Sequence, residues 1–162
     1  MSLILDSGTV MRTNVSTRMA LEIAHWFVAW AEQMDADLSQ LKLQKLLYYA
    51  QGEHIRSTGT KLFSDEIQAW QHGPVVADVY QATKQYGRNP IDPDAFIPED
   101  FNWDDYADIQ DELVAVWRKY GIYSAWALRE KTHSEKPWRE AFYAGKNVGI
   151  TEAALKEFFS AD

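Results

Sequence analysis

Between Leu41 and Gly52 the chain reads Leu-Lys-Leu-Gln-Lys-Leu-Leu-Tyr-Tyr-Ala-Gln-Gly, and its apolar positions fall at helical spacing. Leu43, Leu46, Leu47 and Ala50 form one stripe, while Leu41, Tyr48 and Ile55 mark a second, stepping by sevens. A helix apolar on two faces belongs at the centre of a small fold. The pattern predicts it over Gln40 to Ser57, with Ser39 accepting a free backbone N–H at its start and Thr58-Gly59-Thr60 ending it. Gly52 inside that helix costs about 1 kcal/mol relative to alanine, so close approach by another backbone or ring is expected there.

The flanking patterns are shorter. Leu21, Ala24, Phe27, Val28 and Ala31 share a face of a first helix, expected from about Thr17 to Met34 with Ser16 or Thr17 as its cap. Glu66 to Gln71 alternates as a short strand. Gly73 then breaks the strand, and Pro74 is read as the first turn of a helix reaching about Tyr86, stopped by Gly87. Arg88 to Asn102, with Pro90, Pro93 and Pro98, reads as an irregular connection. A long helix is expected from Trp103 to Tyr120, with Tyr106, Ile109, Leu113, Val116 and Trp117 on one face. Ser124 caps a short helix to Lys131, and Pro137 opens another to about Tyr143. Val148 to Ile150 is a second strand, able to pair with the first, and Thr151 caps a last helix to Phe159. The predicted fold is mainly α (α+β): a single compact helical domain over residues 17–162 with a minimal two- or three-stranded sheet. Residues 1–16 read as a flexible or appended leader, with Met11 or Met19 as alternative starts.

Charge changes the picture more than composition does. The chain has 162 residues and a net charge of −8, and nine of its acidic residues crowd between Asn89 and Trp117, where there is no Lys or Arg. The remainder is close to neutral. Such a block repels phosphate backbones and can steer a basic partner; the plainer reading is a solvated helix face and loop. The nearest thing to a basic stripe, Arg129, Lys131, Lys136 and Arg139, is interrupted by Glu130, Glu135 and Glu140, so direct nucleic-acid binding is not expected. No run of eighteen apolar residues exists, which leads us to expect a soluble, cytoplasmic protein that does not engage a membrane. Cysteine is absent, which excludes disulfides and thiolate chemistry.

Candidate chemistry is sparse. His25, His54, His72 and His133 lack metal-ligand spacing, and no phosphate-binding glycine loop or nucleophile-elbow context is present. Asp92 and Asp94 resemble the start of a calcium loop, but Ile97 occupies the position that needs glycine. No cofactor and no catalytic residue is therefore assigned. The informative polar residues lie inside apolar patterns. Lys45 must find an acid or carbonyls, lose its proton, or snorkel to water along the apolar surface. With Tyr48, Gln51, Trp70, His72, Tyr80 and His133 it defines a candidate recognition cleft, though core roles are open for each aromatic. Asp104, Asp105, Asp108 and Asp111 form a candidate acidic docking surface. Phe158-Phe159 is a further docking candidate, and Trp26 with Trp30 is a possible exposed stripe for dimerisation.

Several separate blocks together carry a resemblance. These are Lys42 to Gly52, Lys61-Leu62-Phe63, Ala69-Trp70 with Gly73-Pro74-Val75-Val76 and Val79-Tyr80, Leu128 to His133, and Pro137-Trp138. In order and spacing they resemble the Panacea domain, the SocA-like or GepA-like family of prophages and toxin–antitoxin pairs. Lys61 departs from the pattern, where an apolar residue or proline precedes Leu-Phe. The resemblance implies an antitoxin that neutralises a cognate toxin by direct binding, in some relatives as an adaptor to a cellular protease, on a prophage or mobile element. The alternative is a phage-associated enzyme or regulator of unknown substrate.

Overall fold

The computed structural model describes residues 18–161. The proposed leader, the Ser16 or Thr17 cap and Asp162 lie outside the described residues. Among the described residues, eight α-helices and a three-stranded antiparallel sheet make the fold mainly helical with a minimal sheet. In chain order the elements are α1 (Ala20–Gln33), α2 (Gln40–Thr58), β1 (Ile67–Trp70), β2 (Gly73–Val75), α3 (Ala77–Thr83), α4 (Pro93–Phe96), α5 (Gln110–Tyr120), α6 (Ala125–His133), α7 (Lys136–Ala144), β3 (Gly149–Ile150) and α8 (Glu152–Ser160). Short 3-10 turns occupy Lys84–Tyr86 and Trp103–Tyr106.

Helix α2 is the hub. Helices α1, α3, α5, α6 and α8 and strand β2 all pack on it, and Leu43, Leu46, Leu47, Tyr48, Tyr49, Ala50 and Ile55 are buried. Each large apolar side chain buried this way contributes about 1.5–3 kcal/mol. The Ser39 hydroxyl accepts the Lys42 N–H at 3.3 Å, and Gly59 closes the helix at φ +82°, a left-handed conformation that favours glycine. Gly52 is explained by a ring: a Cβ there would fall inside the Phe159 side chain. Phe159 is therefore core rather than a docking residue, with its ring edge-on to Tyr48 and Tyr49.

Helix α1 begins at Ala20. Its first N–H groups are met by the Asp65 carboxylate, which accepts from Ala20 at 2.7 Å, and by Glu22, which accepts from Met19 at 2.9 Å. Trp26 is fully buried and stacks on Trp30 at 5.3 Å, with Trp103 edge-on to both. The expected exposed dimer stripe is thus an internal aromatic layer, covered by the segment that follows the acidic connection.

Two expected helices are redrawn. Gly73-Pro74-Val75 is not a helix start but the edge strand β2, with Ala69 opposite Pro74 and Trp70 opposite Gly73. The first turn of a helix and a sheet edge both spare proline's missing N–H, so local sequence cannot choose between them. Gln44 decides it from a distance. Its side-chain amide accepts from Val76 N–H at 2.9 Å and donates to the Val76 carbonyl at 3.2 Å, holding the residue extended. Helix α3 then starts at Ala77 and is shorter than expected.

The expected helix from Trp103 to Tyr120 is broken before Gln110. Asn102 captures the Asp104 N–H at 2.9 Å, and the Tyr106 hydroxyl donates to the Glu22 carbonyl at 2.9 Å. Crowded aspartates also suit a regular helix poorly. The connection before it gains a short helix, α4, because Asp92 accepts the Asp94 N–H at 3.0 Å with Pro93 at the first position. Strand β3 pairs with β1, and Ser124 and Thr151 cap α6 and α8, as expected; the register sets Ile150 opposite Ile67.

Candidate functional site

The hairpin β1–β2 brings part of the expected cleft together. It lies against α2 and α6, with α7 on β1. Lys45 has no solvent exposure, and its ammonium donates to the Pro74 carbonyl at 3.3 Å. It does not snorkel. Gly73 makes room for it at φ +118°, since a Cβ there would stand 2.5 Å from Lys45 Cε and 3.1 Å from Thr132 Oγ1. Burial, reinforced by the nearby Arg129 charge, lowers the Lys45 pKa to about 7.

Around this lysine the hairpin carries Trp70 and His72. The Trp70 ring meets Tyr80 edge-on at 5.1 Å, and its carbonyl accepts from Trp138 Nε1 at 2.8 Å. His72 Nδ1 accepts from Arg129 Nε at 3.0 Å on the exposed turn. Arg129 also lies over the Trp126 ring at 4.4 Å and pairs with Glu130 at 2.6 Å. His133 stacks flat on Trp138 at 3.9 Å; burial and then Arg129 hold its pKa below the ordinary value. Its Nε2 is buried without a hydrogen-bond partner among the described residues. Lys45, Trp70, His72, Tyr80 and His133 thus share one neighbourhood.

Tyr48 and Gln51 do not join it as open groups. The Tyr48 and Tyr49 hydroxyls each donate to the Glu135 carboxylate at 3.0 Å, and Lys131 pairs with the same carboxylate at 3.3 Å. Burial pushes the Glu135 pKa up and both tyrosine pKa values up. Gln51 is saturated by backbone, accepting from Leu62 N–H at 2.6 Å and donating to the Phe63 carbonyl at 2.8 Å. Both side chains hold the fold together. A cavity of about 240 Å³ lies instead beside Gln51, walled by Lys61, Ser64 to Ile67, and Ile150 to Glu152 with Leu155.

The acidic residues are disposed as an open surface. Asp104, Asp105, Asp108 and Asp111 are all exposed, on the 3-10 turn, the following turn and the start of α5. Asp108 pairs with Arg18 at 2.5 Å, and Arg18 also reaches the Asp105 carbonyl at 3.4 Å. Asp111 sits in the first turn of α5, where the helix dipole favours negative charge. Sequence reasoning missed the Glu135 clasp and the Arg129–Trp126 stack, since both join residues whose local patterns look like ordinary helix surface. Among the described residues no group of three or more His, Cys, Asp or Glu side chains could hold a metal ion, and no helix is long and apolar enough to cross a membrane.

The family model described as antitoxin SocA-like, Panacea domain, matches residues 43–139, which run from within α2 into α7 and contain the whole hairpin neighbourhood. The chain belongs to this family. Antitoxin SocA of Caulobacter vibrioides (strain NA1000 / CB15N) is 35% identical over 68 residues, which cover 42% of this chain and 36% of that protein. The aligned stretch thus spans about a third of the relative. No solved structure matches the chain.

Proposed function

We propose that the chain is an antitoxin: a binding module that neutralises a cognate toxin protein by direct contact, encoded on a prophage or other mobile element. Membership of the antitoxin SocA-like family is the observation that carries this reading. The chain's own chemistry agrees with a binding role, because its buried polar groups are spent on tying segments together. The four exposed aspartates, Asp104, Asp105, Asp108 and Asp111, are the proposed docking surface for a basic toxin face. The hairpin neighbourhood of Lys45, Trp70, His72, Tyr80 and His133 is proposed as a second, rigid recognition platform, while Tyr48 and Gln51 serve the fold through Glu135 and through Leu62 and Phe63.

The test begins with co-expression. A small neighbouring reading frame should arrest growth alone and permit growth beside this chain. The purified pair should then associate faster at low salt, because clustered charge steers encounter and is screened over about 10 Å at 0.1 M salt. Replacing all four aspartates by Asn should slow association while changing dissociation less, since apolar anchors carry most of the affinity. Association at the wild-type rate at every salt concentration removes the acidic surface from the proposal. Failure of every neighbouring product to bind removes the antitoxin reading. Toxin half-life separates blockade, which leaves it unchanged, from delivery to a cellular protease, which shortens it.

A further inference from the structure

The turn between α5 and α6 has not yet been given a role. Ile122, Tyr123 and Trp126 stand 78%, 40% and 60% exposed, and they are half of the six large apolar side chains that stand exposed among the described residues. Single exposed apolar residues need no explanation, but three within five positions form a patch. Two of them have rigid support. Trp126 is held beneath the Arg129 guanidinium at 4.4 Å, and Tyr123 follows the chain reversal fixed by Lys42, whose ammonium donates to the Gly121 carbonyl at 2.7 Å.

Cations outnumber carboxylates around the patch. From Leu113 to Leu128 the chain holds Arg118 and Lys119 and no acidic residue, in a protein whose net charge is −8. Lys119 is answered by Glu53 at 2.9 Å and Arg129 by Glu130 at 2.6 Å. Lys42 lies over the Trp117 ring at 5.8 Å and has no carboxylate partner among the described residues, and exposed Arg118 has none either. Helix α5 is therefore polarised, with Asp111 and Glu112 in its first turn and Arg118 and Lys119 in its last. The two ends are about 10 Å apart along the axis at 1.5 Å per residue.

We propose that Ile122, Tyr123 and Trp126, rimmed by Lys42, Arg118 and Arg129, form a docking surface for an acidic protein segment. The segment presents one aromatic or large aliphatic side chain to the patch and carboxylates to the rim. Aromatic and arginine side chains on a supported patch are the usual anchors of protein recognition, while rim charges select the partner's sign. This chemistry is opposite to that of the basic partner proposed for the aspartate surface, so the two proposals stand or fall separately.

The experiment uses the full chain as bait for a phage-displayed random peptide library, followed by titration of synthesised peptides by fluorescence anisotropy. Enriched peptides should share an apolar residue flanked by Asp or Glu. Trp126→Ala and Ile122→Ser should each weaken binding about tenfold or more without lowering the melting temperature, as both residues are exposed. Arg118→Gln should weaken it less, and added salt should remove that difference. Enrichment of basic peptides, absence of enrichment, or binding indifferent to both apolar substitutions overturns the proposal. A doubled mass in sedimentation that Trp126→Ala abolishes also overturns it, in favour of a second copy of this chain as occupant.

Discussion

Replacing Lys45 by methionine should stabilise the protein by an amount that depends on pH. The lysine is wholly enclosed, has one long hydrogen bond to a carbonyl, and its pKa falls from the ordinary 10.5 to about 7 through burial and then the Arg129 charge. Below pH 7 both folded and unfolded chains carry the ammonium, and the full cost of burying it is present. As pH rises from 7 toward 10.5 the folded chain releases its proton first, so the unfolded state binds more protons and stability rises. Each pH unit in that window is worth about 1.4 kcal/mol, and the whole window on the order of 4–5 kcal/mol. Lys45→Met deletes this dependence and leaves the Pro74 carbonyl without its donor, a pH-independent loss of about 1 kcal/mol. Urea unfolding of both proteins between about pH 7 and pH 9 isolates the term, because titrations not coupled to Lys45 cancel in the difference and the coupled His133, whose pKa is held below its ordinary value, is neutral there. The variant's advantage should shrink by about 2 kcal/mol from pH 7 to pH 9, since the folded lysine is already half deprotonated at pH 7. An advantage constant across that range would show that the folded lysine titrates as an ordinary one, and the account of its burial would fail.

Two further substitutions test the packing. Gly52→Ala forces a methyl into the Phe159 ring and should cost about 1–3 kcal/mol by thermal melting, with the cost reduced when Phe159→Leu is added; an additive double variant would refute the contact. Glu135→Leu strands two buried tyrosine hydroxyls and should cost about 2–6 kcal/mol, whereas Glu135→Gln, which can still accept from one, should cost less in urea unfolding; equal losses would show that the clasp is not what stabilises.

What could be read from the sequence was what local spacing determines. The central helix and the caps at Ser39, Ser124 and Thr151 depend on neighbours a few residues away; the two strands around Ile67 and Ile150 were legible as strands able to pair, but not their register. The explanation of Gly52 by a ring was legible as a kind of contact, though not as Phe159. Pro74 was misread because its own preference fits two environments and the deciding contact, from Gln44, comes from 32 positions earlier. The break before Gln110 likewise depends on Glu22 and Arg18, more than eighty residues upstream. Of the cleft, Lys45, Trp70, His72, Tyr80 and His133 come from four separate elements and lie near one another through contacts such as Arg129 with His72 and Trp138 with Trp70 and His133. Tyr48 and Gln51 were grouped with them because nothing in a local pattern distinguishes an open polar side chain from one already saturated by Glu135 or the Phe63 backbone.

Gln44 and Gln51 of α2 act on backbone rather than on side chains. Gln44 and Gln51 each grip a non-helical segment through main-chain N–H and carbonyl groups alone, at Val76 and at Leu62-Phe63. Every residue but proline offers that same pair of groups. The path of these segments is therefore fixed by the helix through their backbone, and the buried Leu62, Phe63 and Val76 side chains add apolar packing at the same points. Neither grip survives as a carboxylate, which can accept but cannot donate. A module built this way anchors its backbone at these points twice over, by the amides at positions 44 and 51 and by the apolar packing of Leu62, Phe63 and Val76.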